Sequence, residues 1–155
     1  TDSERAFCYL LEQLVVRFGY CEPSLNDIFQ VLDELLPQIA EYGTFNFCLS
    51  NGQALFSYAT TKLHWLVREY PFKPAQLIDL DVEVDFSQMT TSEDRVAVIT
   101  TEPLTQNEIW TAFKAGEMIL FQAGKPIKNV ITAVKRLIRE AADPSLKRVT
   151  PADLY

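Results

Sequence analysis

The sequence has little of what marks most familiar chemistries. It has no run of about 18 apolar residues, so no membrane-spanning helix is expected. No signal peptide is visible either. Its three cysteines, Cys8, Cys21 and Cys48, stand at irregular spacings, without a CxxC pair or a Cys/His cluster. That pattern argues against structural zinc and points to reduced, partly buried thiols in a cytoplasmic protein. There is one histidine, His64. No P-loop, dinucleotide glycine fingerprint or internal repeat is present. The absence of strand–helix–strand alternation excludes a Rossmann sheet. The chain opens at Thr1 rather than at a methionine, and residues upstream of it are expected.

Basic residues are scarce over most of the length. Residues 1–124 hold 7 basic and 18 acidic side chains, a balance of −11, whereas residues 125–155 hold 7 basic and 3 acidic, a balance of +4. An acidic body lacks the positive field that phosphate binding requires, so nucleic acid is not an expected partner. The basic tail is too short and mixed to reverse that. What remains is a chain of 155 residues, 48% apolar, which is enough for one domain with a sizeable core.

Phe7, Leu10, Leu11, Leu14, Val15 and Phe18 follow helical spacing and predict one apolar stripe, opened by Thr1 and Glu4 at capping-box separation and closed by Gly19. A second helix is predicted over 24–40, with Ser24 as N-cap and Ile28, Val31, Leu32, Leu35 and Ile39 buried. Pro37 should kink it or end it early. The period then changes to that of strands. Segments 44–50 and 53–58 flank Asn51-Gly52, which predicts a hairpin with a type I′ turn. Further strands are predicted over 63–68, 79–86, 95–100 and 118–122. The segment 126–142 reads as a final amphipathic helix, with Ile127, Val130, Ile131, Val134, Leu137 and Ile138 on one side and Lys128, Lys135, Arg136 and Arg139 exposed. Such a helix would pack on its own subunit or make a homo-oligomer contact. The fold class expected is α+β, with helices packed on a mostly antiparallel sheet.

Few residues stand out chemically. Asp79, Asp81, Glu83 and Asp85 alternate along one strand. Clustered carboxylates can hold calcium, but a plain alternation lacks the glycine turn and carbonyl ligands of a calcium loop, and a solvated strand face is the expectation. His64 has no nucleophile or orienting partner beside it in sequence and is expected to be structural. Arg68 can fork onto a ligand carboxylate or form an exposed salt bridge. Thr1-Asp2-Ser3-Glu4 caps a helix well, and it also sets the Asp2 carboxylate where it can face an ammonium group. From the residues alone both readings stay open.

That tetrad resembles the Thr/Ser-Asp-Thr/Ser-Glu motif of class II glutamine amidotransferases, the N-terminal-nucleophile type. Gly43-Thr44-Phe45-Asn46-Phe47, Asn51-Gly52, the run 63–72, Asp81-Val82-Glu83-Val84-Asp85-Phe86, the segment from Thr101 to Trp110, and Gly116-Glu117 follow in the order found in small standalone bacterial members. The resemblance covers about residues 1–127, taken as the C-terminal half of such a domain, with 128–155 as a helical tail outside it. It implies part of a four-layer αββα N-terminal-nucleophile hydrolase fold and hydrolysis of the γ-amide of glutamine, or of a γ-glutamyl compound, through a cysteine thioester. It implies no cofactor and no metal. Asp2 is then the residue that binds the substrate α-amino group. The nucleophilic cysteine, the Asn-Gly oxyanion hole and the carboxylate-binding arginine of the family all lie upstream of the motif, so no catalytic residue is expected in this chain. Cys8 sits within a helix and Asn51-Gly52 in a hairpin, and neither takes those roles. The partners expected are a glutamine or γ-glutamyl small molecule, the N-terminal half of the same domain, and a second copy of the chain in a homo-oligomer. The alternative is a degenerate, non-catalytic module that binds glutamine or γ-glutamyl compounds.

Overall fold

The computed structural model of the chain describes residues 1–78, 83–85 and 90–143. Two helices open it, α1 (Asp2–Phe18) and α2 (Leu25–Ala40). Both begin with a complete capping box. Thr1 and Glu4 cap α1, and Ser24 and Asp27 cap α2, so the first N–H groups that the helix cannot satisfy internally find side-chain oxygens. Pro37 does not end α2 early; the helix runs three residues beyond it, to Ala40. Near the C-terminus a missing N–H removes only one of the last intrahelical bonds.

Seven strands follow: β1 (Phe47–Ser50), β2 (Leu55–Ala59), β3 (His64–Glu69), β4 (Ala75–Gln76), β5 (Glu83–Val84), β6 (Arg95–Thr100) and β7 (Thr111–Ala112). Then come β8 (Glu117–Gln122), β9 (Lys125–Ile131) and helix α3 (Lys135–Ala142). The described strands form a four-stranded sheet in the order β1-β2-β8-β9, a three-stranded sheet β6-β3-β7 and a ribbon β4-β5, every pairing antiparallel.

The central strands of the four-stranded sheet, β2 and β8, are covered on both faces, and the side-chain alternation shows how. Phe56 and Tyr58 of β2 and Met118 and Leu120 of β8 point to the helices, where they pack with Leu10, Val31, Leu32, Leu35 and Leu36. Their alternates Ala59, Ile119 and Phe121 point the other way, onto Leu63, Trp65, Phe113 and Ile99 of the second sheet region. Trp65 and Phe121 meet edge to face at 5.6 Å. Helices, sheet and second sheet thus stack as three successive layers. A strand buried on both faces takes apolar residues at most positions, and 118–121 accordingly reads as an unbroken apolar run.

Several sequence expectations change. The segment 126–142 is not one helix. Residues Lys125–Ile131 pair with β8 as an edge strand, and only Lys135–Ala142 is helical. A two-residue turn, Ala123-Gly124, makes this possible, with φ of 47° and 70° respectively. Both positive values belong to the type I′ geometry expected at Asn51-Gly52. At Asn51-Gly52 only Gly52 has positive φ, and Asn51 instead accepts the N–H groups of Gln53 and Ala54, each at 3.1 Å. The hairpin forms as expected, with a four-residue loop. Ile127 is the residue left without a partner where the β8–β9 register shifts, and Lys128 lies over the Phe29 ring at 4.3 Å.

The apolar stripe of α1 is also only half covered. Leu10 is buried and Leu14 and Phe18 pack beside it, but Phe7, Leu11 and Val15, one row around the helix, are exposed. All three cysteines are free and exposed rather than partly buried.

Gly116 opens β8 with φ +81°, its N–H donating to Ala59 O (2.8 Å) and its carbonyl accepting from Thr132 (3.0 Å). A β-carbon there would collide with the Thr132 carbonyl. We expect Gly116→Ala to cost roughly 1–3 kcal/mol, toward the upper end, in urea unfolding of the complete polypeptide. Gly43→Ala, whose β-carbon would meet open space, should stay within about 0.5 kcal/mol of wild type. Equal losses at the two sites would refute this account of Gly116.

Candidate functional site

The first turn of α1 separates two jobs that the sequence left joined. Thr1 Oγ1 accepts the Glu4 N–H at 3.2 Å, and the Thr1 main-chain nitrogen lies 3.3 Å from Glu4 Oε2. These bonds complete the cap. The Asp2 side chain takes no part in it and makes no hydrogen bond among the described residues. Its carboxylate is exposed and lines a cleft of about 680 Å³ between the start of α1, the end of α2 and the segment that leads into β1. Tyr9, Ile39, Tyr42 and Phe45 supply much of the apolar wall, and Arg5 brings a positive charge to the same cleft. A smaller cleft of about 320 Å³, shared by Ser3, Thr44, Phe45 and Asn46, lies beside it. An apolar space with one or two charged groups is the usual form of a small-molecule site: the apolar wall gives affinity and the charge fixes orientation.

The other residues that stood out in sequence lie elsewhere. β3 belongs to the second sheet, with the four-stranded sheet between it and α1. His64 places Nδ1 3.1 Å from the Thr101 carbonyl; a carbonyl only accepts, so Nδ1 carries the proton. That bond gives His64 a main-chain partner in the second sheet region. Arg68 neither awaits a ligand nor forms an exposed bridge. Its Nε and Nη2 both lie 2.7 Å from the two carboxylate oxygens of Glu108, and each side chain is only 18% exposed. Thr105 donates to the same carboxylate at 2.6 Å and receives the Trp110 Nε1–H at 3.0 Å. Arg68 foremost, and then Thr105, hold the Glu108 carboxyl below its ordinary value against the opposing effect of burial. Sequence reasoning named Arg68 but not Glu108, forty positions away; only the pairing of β3 with its neighbours brings the two together.

Of the acidic strand, Asp79 and Asp81 lie outside the described residues. Glu83 falls in β5, and Asp85 follows it and is exposed. Among the described residues no group of three or more His, Cys, Asp or Glu side chains could hold a metal ion. Nor is any helix among them long and apolar enough to cross a membrane.

The family model "Glutamine amidotransferases class-II" matches residues 1–145. The chain belongs to the class II glutamine amidotransferases. Two curated relatives are each 42% identical to it. One is the "Putative glutamine amidotransferase YafJ" of Escherichia coli (strain K12), matched over 82% of this chain and 50% of its own length. The other is the "Putative glutamine amidotransferase" of Haemophilus influenzae (strain Rd), matched over 89% and 47%. This class II chain therefore spans about half the length of the curated relatives it matches. The 2.0 Å crystal structure of a "predicted glutamine amidotransferase" from Pseudomonas aeruginosa PA01 superposes with a TM-score of 0.71 at 36% identity, over 83% of this chain and 50% of that one. The helical layer and stacked antiparallel sheets are thus an α+β arrangement of the class II amidotransferase type.

The Arg68–Glu108 pair gives a pH-dependent prediction. Glu108 is held below its ordinary value of 4.5, so its contribution to stability is present above that value and fades as the pH falls through the lower folded-state value. Glu108→Gln should cost roughly 1.5–3 kcal/mol at neutral pH, the range for hydrogen bonds to charged groups. The loss should shrink toward zero in acid. Denaturant midpoints measured from pH 7 down to 3 check this, and a loss that does not change with pH would refute it.

Proposed function

We propose that the chain is the C-terminal half of a class II glutamine amidotransferase domain that hydrolyses the γ-amide of glutamine or of a γ-glutamyl compound, with Asp2 holding the substrate α-ammonium. The observation that carries this reading is the division of labour at the start of α1. Thr1 and Glu4 complete the cap, while the Asp2 carboxylate is left over and lines the large cleft. The family chemistry divides in the same way. The thiolate of an N-terminal cysteine attacks the γ-carbonyl carbon, and the amino group of that cysteine carries the thiol proton to departing ammonia. Water then hydrolyses the γ-glutamyl thioester to glutamate. Those groups belong to the N-terminal half. The task of this chain is to bind and orient the amino-acid end of the substrate, because a charge-assisted contact at the α-ammonium fixes the distance from there to the γ-carbon. The exposed row Phe7, Leu11 and Val15 on α1 supports the same reading, since it is an apolar surface that a second half of the domain would cover. The three free thiols suit a cytoplasmic setting.

Two predictions follow the two parts of the proposal. Residues 1–155 alone should release no glutamate from glutamine, and turnover that survives replacement of Cys8, Cys21 and Cys48 by serine would overturn the assignment of the nucleophile to the other half. In the complete polypeptide, Asp2→Asn should lower kcat/KM by roughly 10- to 150-fold, the equivalent of losing a charged hydrogen bond. The melting temperature should barely move, because the cap is intact. The decisive comparison is a γ-amide substrate without the α-amino group. If wild type disfavours it no more than the Asn variant does, Asp2 does not bind the ammonium.

A further inference from the structure

Between the large and small clefts runs a short ridge of main chain, Thr44-Phe45, which lines both of them together with Ser3. The ridge belongs to no helix or strand, so no regular ladder of hydrogen bonds holds it. One side-chain amide does much of that work. Asn46 Oδ1 accepts from the N–H of Thr60 (3.1 Å), the N–H of Thr61 (3.3 Å) and the Thr61 hydroxyl (3.3 Å). Its Nδ2 lies 3.0 Å from Thr61 Oγ1 and donates to the Lys62 carbonyl at 3.2 Å. Next to it, the Phe45 N–H donates to Oγ1 of the buried Thr60 at 2.8 Å, and the Phe45 ring stacks on Phe47 at 5.6 Å. The amide thus ties the ridge to the connection between β2 and β3 with both its donor and its acceptor end. A carboxylate in the same place would lack the donor end, and a hydroxyl would carry donor and acceptor on a single atom.

We propose that Asn46 is a positioning residue for the substrate-binding cleft. It fixes the Thr44-Phe45 wall opposite the first turn of α1, so that Asp2 meets the substrate ammonium in a geometry set before binding. This inference rests on the Asp2 reading above. Asn46 acts through the ridge and does not touch the substrate. A ridge released from its clamp would have to be ordered at each binding event, which weakens binding and leaves the bond-breaking step alone.

The test uses the complete polypeptide with Asn46→Ala, Asn46→Asp and Asp2→Asn, assayed on glutamine and on a γ-amide lacking the α-amino group. Asn46→Ala should raise KM for glutamine by about tenfold, the factor worth 1.4 kcal/mol, with kcat within about twofold. Asn46→Asp keeps the acceptor and loses the amide donors, and should raise KM by a few fold. Preference for the substrate carrying the amino group should fall in both. Amide hydrogen exchange at Phe45 should quicken in both, which a merely remote destabilisation would not single out. A lower melting temperature with unchanged KM and unchanged preference overturns the proposal. If Asn46→Ala does not fold, Asn46→Asp decides by the same criteria. If Asp2→Asn abolishes the preference while the Asn46 variants retain it, the positioning role alone has failed. If Asp2→Asn leaves the preference intact, the Asp2 reading has failed and the inference falls with it.

Discussion

Two strands, β2 and β8, lie at the centre of the four-stranded sheet and are apolar on both of their faces, and every other layer is organised by that burial. Phe56, Tyr58, Met118 and Leu120 give α2 and one row of α1 a surface to pack on, while Ala59, Ile119 and Phe121 do the same for the second sheet. At about 25 cal/mol per Å² of apolar surface removed from water, a strand buried on both faces contributes about twice what a half-exposed one does. It is the anchored Leu10 row that fixes where Asp2 emerges.

The clefts follow from the same arrangement. α1 and α2 lie side by side on the sheet, and the chain leaves α2 and turns back through residues 43–46 before entering β1. That return passes beside the start of α1, so residues more than forty positions apart line one space. The ion pair of Arg68 with Glu108 does the equivalent for the second sheet, fastening the irregular connection before β7 to β3. One is a place left open and the other a place closed by its own side chains, and this difference separates the candidate site from the structural network.

Much of this was legible in the residues. The capping box of α1, the N-cap of α2 at Ser24, the hairpin at Asn51-Gly52 and the strand Arg95–Thr100 follow from local chemistry, and they stand where that chemistry puts them. What failed was not local. Ile127, Val130 and Ile131 have helical spacing, but tertiary pairing with β8 overrides it, and the signal that could have shown this is the two-residue turn at Ala123-Gly124. Periodicity marks the apolar stripe of α1, but it reports which residues are apolar and not how many rows a neighbour covers. At the site, Asp2 came from a motif, whereas Asn46 stands in a segment of the resemblance with nothing to mark its role, since its partners Thr60 and Thr61 are reached only through the β1–β2 hairpin.

The order of pairing in the central sheet bears on how the chain folds. β1 and β2 are adjacent in sequence and can zip together as soon as both exist, as can β8 and β9 across their two-residue turn. The joint between these hairpins, from Leu55–Ala59 to Glu117–Phe121, spans 58 positions between its nearest paired residues, Ala59 and Glu117. Closing so long a loop costs chain entropy before any contact repays it. The second sheet is made from the intervening residues, so it can dock only as that loop closes. The rate-limiting event should therefore be the meeting of two preformed hairpins, with the helices waiting on one side for the apolar floor that the meeting creates.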